Sequence, residues 1–136
     1  MRYLFDTNAC IALLNDTLPP LRERIHRLAP SDIGLPAPVA YELYYGACKS
    51  RHADHNLKLL DRLEFEIVPF DAGDACAAGA VRSELAAAGQ PIGPDDLLIA
   101  WQARARNLIR ITANRREFER VEGLVCEDWT HSSATP

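Results

Sequence analysis

Short apolar runs that alternate with longer stretches of helical period constrain this chain more than any other feature. Such alternation is typical of β-α-β units built around a mostly parallel sheet. The candidate strands are Tyr3–Phe5, Ile33–Leu35, Phe65–Phe70, Leu108–Thr112 and Leu124–Cys126. We therefore predict an α/β fold, doubly wound, with a mostly parallel five-stranded sheet flanked by helices.

The predicted helices begin at residues that commonly cap helices. These are Thr7 or Asn8 before Ala9–Leu14, Pro19 and Pro20 before Leu21–Leu28, Asp71 or Asp74 before Ala75–Ala88, and Pro94 and Asp95 before Asp96–Ala105. Gly89 is predicted to stop the third of these. The stretch from Val39 to about Leu63 is long enough for two helices, with a break near Ser50–Asp54.

Length and charge indicate one compact acidic domain. The chain has 136 residues, of which 48% are hydrophobic, and its formal net charge is −4. We assign residues 1–130 to that domain and expect residues 131–136 to be a disordered tail. No apolar run approaches the roughly 18–20 residues of a membrane span, and Asp6 interrupts the N-terminus before a signal-peptide core. We expect a cytoplasmic protein that does not bind membranes.

The four cysteines, Cys10, Cys48, Cys76 and Cys126, show no C-x-x-C motif and no histidine at metal-ligand spacing. We interpret them as small buried hydrophobic residues rather than a zinc site or a disulfide framework.

Carboxylates follow the ends of predicted strands, where open parallel sheets form their working sites. Asp6 comes directly after the first strand, although it could simply be an N-cap. Glu42 is predicted at the edge of the apolar stripe of its helix, where a charge needs a partner, such as a metal or an arginine. Asp96 is a better candidate than Asp95 for an inward-facing ligand, because Asp95 can cap the helix. The alternative for either residue is a structural role, in which its charge stabilises the first turn through the helix dipole.

A further polar group follows the fourth strand. Thr112, Asn114 and Glu117 offer oxygen atoms there, with a capped turn at Asn114 as the alternative.

Converging carboxylates repel one another by about 1–4 kcal/mol per close pair, and a cation relieves that repulsion. Oxygen ligands favour Mg²⁺ or Mn²⁺ over zinc. The chemistry this arrangement favours is metal-assisted hydrolysis of a phosphodiester by an activated water.

Arginines cluster near the C-terminus, although the chain as a whole is acidic. They are Arg104, Arg106, Arg110, Arg115, Arg116 and Arg120. We predict a locally positive surface for nucleic acid there, with an ordinary solvated helix face as the alternative.

Four segments in order resemble the PIN-domain ribonucleases, and within them the VapC-type toxins of bacterial toxin–antitoxin pairs. The segments are Leu4–Asn8, Tyr41–Ala47, Pro91–Ala100 and Thr112–Leu124, followed by Glu127–Trp129. The resemblance runs nearly end to end and implies a PIN-like doubly wound fold.

The resemblance also implies site residues. Asp6, Glu42 and Asp96 would ligate Mg²⁺ or Mn²⁺, and Asn114 would be the polar group after the fourth strand, with Thr7, Asn8 and Glu117 as additional candidates. Relatives often read Thr-Asn-Asn or carry Asp where this chain has Thr112-Ala113-Asn114, so a fourth carboxylate is missing there and a second metal is in doubt.

The resemblance further implies an endoribonuclease that cleaves structured RNA, frequently transfer RNA. Arg104, Arg115 and Arg116 are our candidates for RNA binding. The implied partners are a second copy of the chain and a small antitoxin, which supplies the contact with DNA.

Three alternatives remain open from the sequence. They are a PIN nuclease of RNA maturation, a catalytically silent PIN binding module, and a receiver-like signalling domain. The last needs a lysine at a strand end, and Lys49 and Lys58 both lie in predicted helix.

Overall fold

One parallel sheet carries the fold. In the computed structural model, which describes residues 1–16, 19–90, 93–112 and 125–129, its strands are β1 (Tyr3–Phe5), β2 (Ile33–Pro36), β3 (Glu66–Val68), β4 (Ile109–Ile111) and β5 (Cys126–Glu127). Their order across the sheet is β3-β2-β1-β4-β5, and every pairing is parallel. The predicted five-stranded α/β architecture is confirmed, and the order reverses beside β1, which places β1 at the topological switch point.

Six helices connect the described strands. They are α1 (Thr7–Asn15), α2 (Pro19–His26), α3 (Ala37–Lys49), α4 (Ala53–Leu63), α5 (Ala72–Ala87) and α6 (Pro94–Ala105), with a 3₁₀ turn at Pro30–Asp32. The predicted break near Ser50–Asp54 is confirmed, because α3 ends at Lys49 and α4 begins at Ala53.

Two helices begin earlier than their sequence predicts. The N-cap of α1 is Asp6 rather than Thr7 or Asn8, because Asp6 keeps an extended backbone and its carboxylate accepts the N–H of Ala9. The N-cap of α6 is Gly93, so Asp95 lies inside the first turn instead of capping it.

The predicted start and stop of α5 are confirmed. Asp71 and Asp74 form a reciprocal capping box, each carboxylate accepting the backbone N–H of the other. Gly89 follows the helix with a φ of +72°, a conformation in which a side chain would be strained.

An ion pair joins α5 to the end of α6. The Arg106 guanidinium donates to both carboxylate oxygens of Asp74, at 2.8 and 2.9 Å, and Gln102 donates to Asp74 at 3.4 Å. These bonds, above all those from Arg106, hold the pKa of Asp74 well below its ordinary value despite its burial. The pair therefore stabilises the contact between the two helices.

The hydrophobic core lies on both faces of β1, and Trp129, which follows β5, packs into it. Leu4 and Phe5 are fully buried. Trp129, 2% exposed, packs edge-on against Tyr3 and Phe5, with ring centroids 4.7 and 5.8 Å away. Trp129 thereby ties the end of the described chain back to β1, and the first residue of the predicted last strand, Leu124, lies outside the described residues.

The cysteine prediction is wrong for two of the four. Cys10 is buried and Cys126 is half-buried, but Cys48 and Cys76 are exposed. All four thiols are free. Burial, together with the nearby Asp6 carboxylate, raises the pKa of the Cys10 thiol far above its usual range.

Within the described part of the chain, no helix is both long and apolar enough to cross a membrane. The predicted tail, residues 131–136, lies outside the described residues.

Candidate active site

A cavity of about 300 Å³ opens beyond the carboxyl end of β1. Its polar lining comprises Asp6, Thr7, Asn8, Glu42 and Asp96, and its remaining lining residues are Pro38, Val39, Tyr41 and Ile99. The structure therefore brings to one cavity the three acidic residues selected from the sequence and both additional candidates on α1.

Asp6 is held in place by the fold. It directly follows Phe5, the last residue of β1, and only 7% of its surface is exposed. Its Oδ1 atom accepts the Ala9 N–H at 2.8 Å, which makes Asp6 a helix cap as well as a cavity residue. The two interpretations of Asp6 offered by the sequence thus describe the same carboxylate.

Glu42 lies on α3 and is exposed, so the prediction that burial forces a partner on it is wrong. The buried residues of α3 are Val39, Ala40, Leu43 and Ala47, and Glu42 projects beside that stripe rather than within it. Within the described residues no arginine pairs with Glu42. Its carboxylate is therefore available to the cavity at little cost in desolvation.

Asp96 enters from the first turn of α6. Its side chain is 45% exposed, and its Oδ1 atom lies 3.3 Å from Nη2 of Arg110. A carboxylate in the first turn also interacts favourably with the helix dipole, so the first-turn alternative and the cavity role are compatible.

Arg110 was not selected from the sequence as a site residue. The sequence predicts it to be part of a positive surface, whereas in the structure it lies in the middle of β4 with a fully buried side chain. Its Nη2 contacts Asp96 and also Asp6 Oδ2, at 3.4 Å, and its Nη1 donates to the Asp96 carbonyl oxygen at 3.0 Å. The sequence does contain a signal for this position, because an arginine between Ile109 and Ile111 in a short apolar strand indicates a buried cation that needs carboxylate partners.

The other arginines of the predicted basic surface are distributed differently. Arg106 is committed to Asp74, and Arg104 is half-buried over the ring of Trp101, 6.0 Å from its centroid. Arg115, Arg116 and Arg120 lie outside the described residues, as do the predicted site residues Asn114 and Glu117. Thr112, at the end of β4, is buried.

The donor set fits a hard cation. The cavity offers carboxylate oxygens from Asp6, Glu42 and Asp96, which are ligands that Mg²⁺ and Mn²⁺ prefer. Across the described ranges, no three acidic, histidine or cysteine side chains are drawn together into a ready-made metal cluster. The three carboxylates share the cavity, and two of them are already turned toward Arg110.

Comparison with known proteins shows which family has this fold. The family model for the PIN domain matches residues 3–124. A tRNA(fMet)-specific endonuclease VapC from Shigella flexneri is 39% identical over 96% of this chain and 99% of its own length. Ribonuclease VapC2 from Rickettsia felis is 36% identical over 95% of this chain and 98% of its own length.

Solved structures with a similar fold are also of VapC proteins, in complexes named VapBC. DNA-bound VapBC from Salmonella typhimurium superimposes with a TM-score of 0.86, at 37% identity, over 95% of this chain and 98% of that chain. VapBC2 from Rickettsia felis, bound to a DNA fragment from its promoter, gives 0.84 at 34% identity, over 95% and 99%. PIN-domain ribonucleases in general depend on divalent metal ions, as the carboxylates at the end of β1 lead one to expect. The chain therefore belongs to the PIN-domain family and is a VapC-type endoribonuclease toxin.

Proposed function

We propose that this toxin uses Mg²⁺ or Mn²⁺, held by Asp6, Glu42 and Asp96, to hydrolyse a phosphodiester of a structured RNA. The observation that carries the proposal is that these three carboxylates, from the junction of β1 and α1, from α3 and from α6, line one cavity at the topological switch point of the sheet. Such an edge is where open α/β sheets bind their ligands.

The chain's own residues have separable tasks in this proposal. When bound, a divalent ion would orient and polarise a water for attack and would place positive charge against the phosphate. Asp6 is fixed by its bond from Ala9, and exposed Glu42 can adjust to the ligand. Thr7 and Asn8 add polar groups at the rim. Asn114, with Glu117, remains our candidate for the fourth group of the site.

RNA binding is assigned to arginines of the C-terminal cluster. Arg104, Arg115 and Arg116 are the candidates, because a guanidinium suits phosphate and RNA is recognised largely through its backbone and shape. Replacing Arg115 and Arg116 together by Ala should weaken RNA binding and flatten its dependence on salt.

The substrate class follows from the relatives. The Shigella flexneri and Salmonella typhimurium proteins are both named as specific for tRNA(fMet). We take tRNA(fMet) as the first substrate to test for this chain.

The proposed partners are a cognate antitoxin and a second copy of the toxin, in the cytoplasm. The Salmonella and Rickettsia neighbours are toxin–antitoxin assemblies on DNA. Contact with DNA is assigned to the antitoxin.

The experiment is cleavage by purified, antitoxin-free protein. Total RNA, tRNA(fMet) and an elongator tRNA are each incubated with EDTA, Mg²⁺ or Mn²⁺, and fragment ends are mapped. Metal-dependent cleavage of tRNA(fMet) alone supports the proposal in full, and cleavage of another RNA overturns only the substrate. A folded protein that cleaves nothing in metal favours the silent binding module.

A second arm separates a toxin from a maturation nuclease. Induced expression should arrest growth, and co-expression of the cognate antitoxin should relieve the arrest. Cleavage in vitro without growth arrest would favour RNA maturation.

A further inference from the structure

Arg110 is a buried cation that contacts two of the acidic residues of the site. On β4 it stands opposite Leu4 of β1 and Cys126 of β5, and its side chain is fully buried. Burying a guanidinium costs several kcal/mol unless carboxylates and hydrogen bonds compensate. Here the compensation comes from Asp6 and Asp96, the two acidic residues of the cavity that flank it.

The contacts fix these two carboxylates before any ligand is present. Asp6 Oδ1 accepts from Ala9 and its Oδ2 faces Arg110, so both oxygens are oriented. Asp96 is held through Oδ1 and through its own carbonyl oxygen. A carboxylate has about four lone-pair sites, so each can still bind an ion.

The charge of the site follows. Among the described residues of the site, Asp6, Glu42 and Asp96 carry three negative charges when ionised, and the Arg110 guanidinium reduces their net charge to −2. One divalent ion balances that charge, whereas three carboxylates without the arginine would leave an excess that attracts further cations.

We propose that Arg110 is a positioning residue that acts as the resident cation of the site, pairing Asp6 with Asp96 and limiting the site to one divalent ion. The inference rests on the proposed metal-dependent function. The Arg110 guanidinium would supply part of the positive charge that a second metal ion would otherwise bring to the site.

The test compares wild type with Arg110→Met and Arg110→Lys. Mn²⁺ binding is followed by electron paramagnetic resonance, and Tm is measured with and without Mn²⁺. We expect wild type to bind one Mn²⁺ per chain. Arg110→Met should bind Mn²⁺ roughly tenfold more tightly, or take up a second ion, because a positive charge next to the ion is gone. Its metal-free Tm should fall, and Mn²⁺ should raise it by more than in wild type.

Two variants control for charge and for fold. Arg110→Lys keeps the charge and should keep one ion with an affinity within about threefold of wild type. Arg106→Met removes an arginine–carboxylate pair at Asp74 and should lower Tm without altering Mn²⁺ binding. If Arg110→Met does not fold, Arg110→Gln, whose amide can still donate to both carboxylates, makes the same comparison.

Unchanged affinity and stoichiometry in the neutral variant, with wild type binding Mn²⁺ and cleaving RNA, would overturn the role of Arg110 alone. Two ions per wild-type chain at saturation would overturn it as well. Failure of wild type to bind Mn²⁺ at all would overturn the proposed metal chemistry and this inference together.

Discussion

The carboxylate of Asp6 accepts the backbone N–H of Ala9 at 2.8 Å, so one side chain both caps α1 and lines the acidic cavity. The capping role and the metal-binding role of Asp6 can be separated by substitution, because Asn caps a helix about as well as Asp but is a weaker metal ligand.

Asp6→Asn should therefore keep the α1 cap and lose metal-dependent cleavage by at least about a hundredfold. Its Tm should fall below that of wild type, because buried Arg110 loses one of its two carboxylate partners. Asp6→Ala should lose cleavage too and should be about 1 kcal/mol less stable than Asp6→Asn, because it also loses the cap. Denaturant unfolding and cleavage assays of both variants check this. Cleavage by Asp6→Asn at the wild-type rate would remove Asp6 from the site.

Glu42 is exposed and, among the described residues, has no arginine partner, so its removal should not affect the fold. Glu42→Gln should change the free energy of unfolding by less than about 0.5 kcal/mol, since surface substitutions of this kind have small effects. Its cleavage rate should drop at least about tenfold if Glu42 contributes a ligand oxygen. Glu84→Gln, an exposed carboxylate of α5, is the matched control. Equal loss of rate in both variants would point to a general charge effect.

The Asp74–Arg106 pair predicts a dependence of stability on pH. The pKa of Asp74 is lowered in the folded protein, so its contribution is present above its ordinary value of 3.8 and is lost as pH falls below that value. Asp74→Asn should cost about 1–3 kcal/mol near neutral pH, since it breaks a bidentate charge-assisted contact. The difference between wild type and variant should shrink as pH falls from about 5 toward 3. A difference independent of pH, measured by urea unfolding, would exclude this origin.

The cysteines should differ in reactivity. Cys48 and Cys76 are exposed, whereas Cys10 is buried and its thiol pKa is raised, so the reactive thiolate is scarce there. Iodoacetamide should modify Cys48 and Cys76 in the native protein and leave Cys10 intact until unfolding. Peptide mass spectrometry reports each site, and early modification of Cys10 would contradict the packing of α1 on the sheet.

Much of the fold follows from the sequence because local signals and tertiary position agree. The apolar run Tyr3–Phe5 can only be buried on both faces, and a carboxylate directly after it must emerge at the sheet edge. Asp96 follows similarly from the helix that begins at Pro94. Helix starts were less predictable, because Asp6, Thr7 and Asn8 are all good caps and only the backbone conformation decides among them.

Arg110 and Glu42 show why the rest could not be predicted. The carboxylate partners of Arg110 lie 104 and 14 residues away in sequence, so its burial depends on the assembled sheet and not on its neighbours. For Glu42, the sequence does not fix which residues of α3 form the buried apolar stripe. The stripe is set by how α3 meets the sheet, and a position at its margin can be buried or exposed.

The most direct test of the central claim, that the carboxylates of this cavity hold the catalytic ion, is to measure Mn²⁺ binding and RNA cleavage on the same samples. Wild type is compared with Asp96→Asn and with Asp61→Asn, which removes an exposed carboxylate of α4. We predict that wild type and Asp61→Asn bind Mn²⁺ and cleave RNA, and that folded Asp96→Asn does neither. Binding and cleavage by Asp96→Asn at wild-type levels would contradict the account.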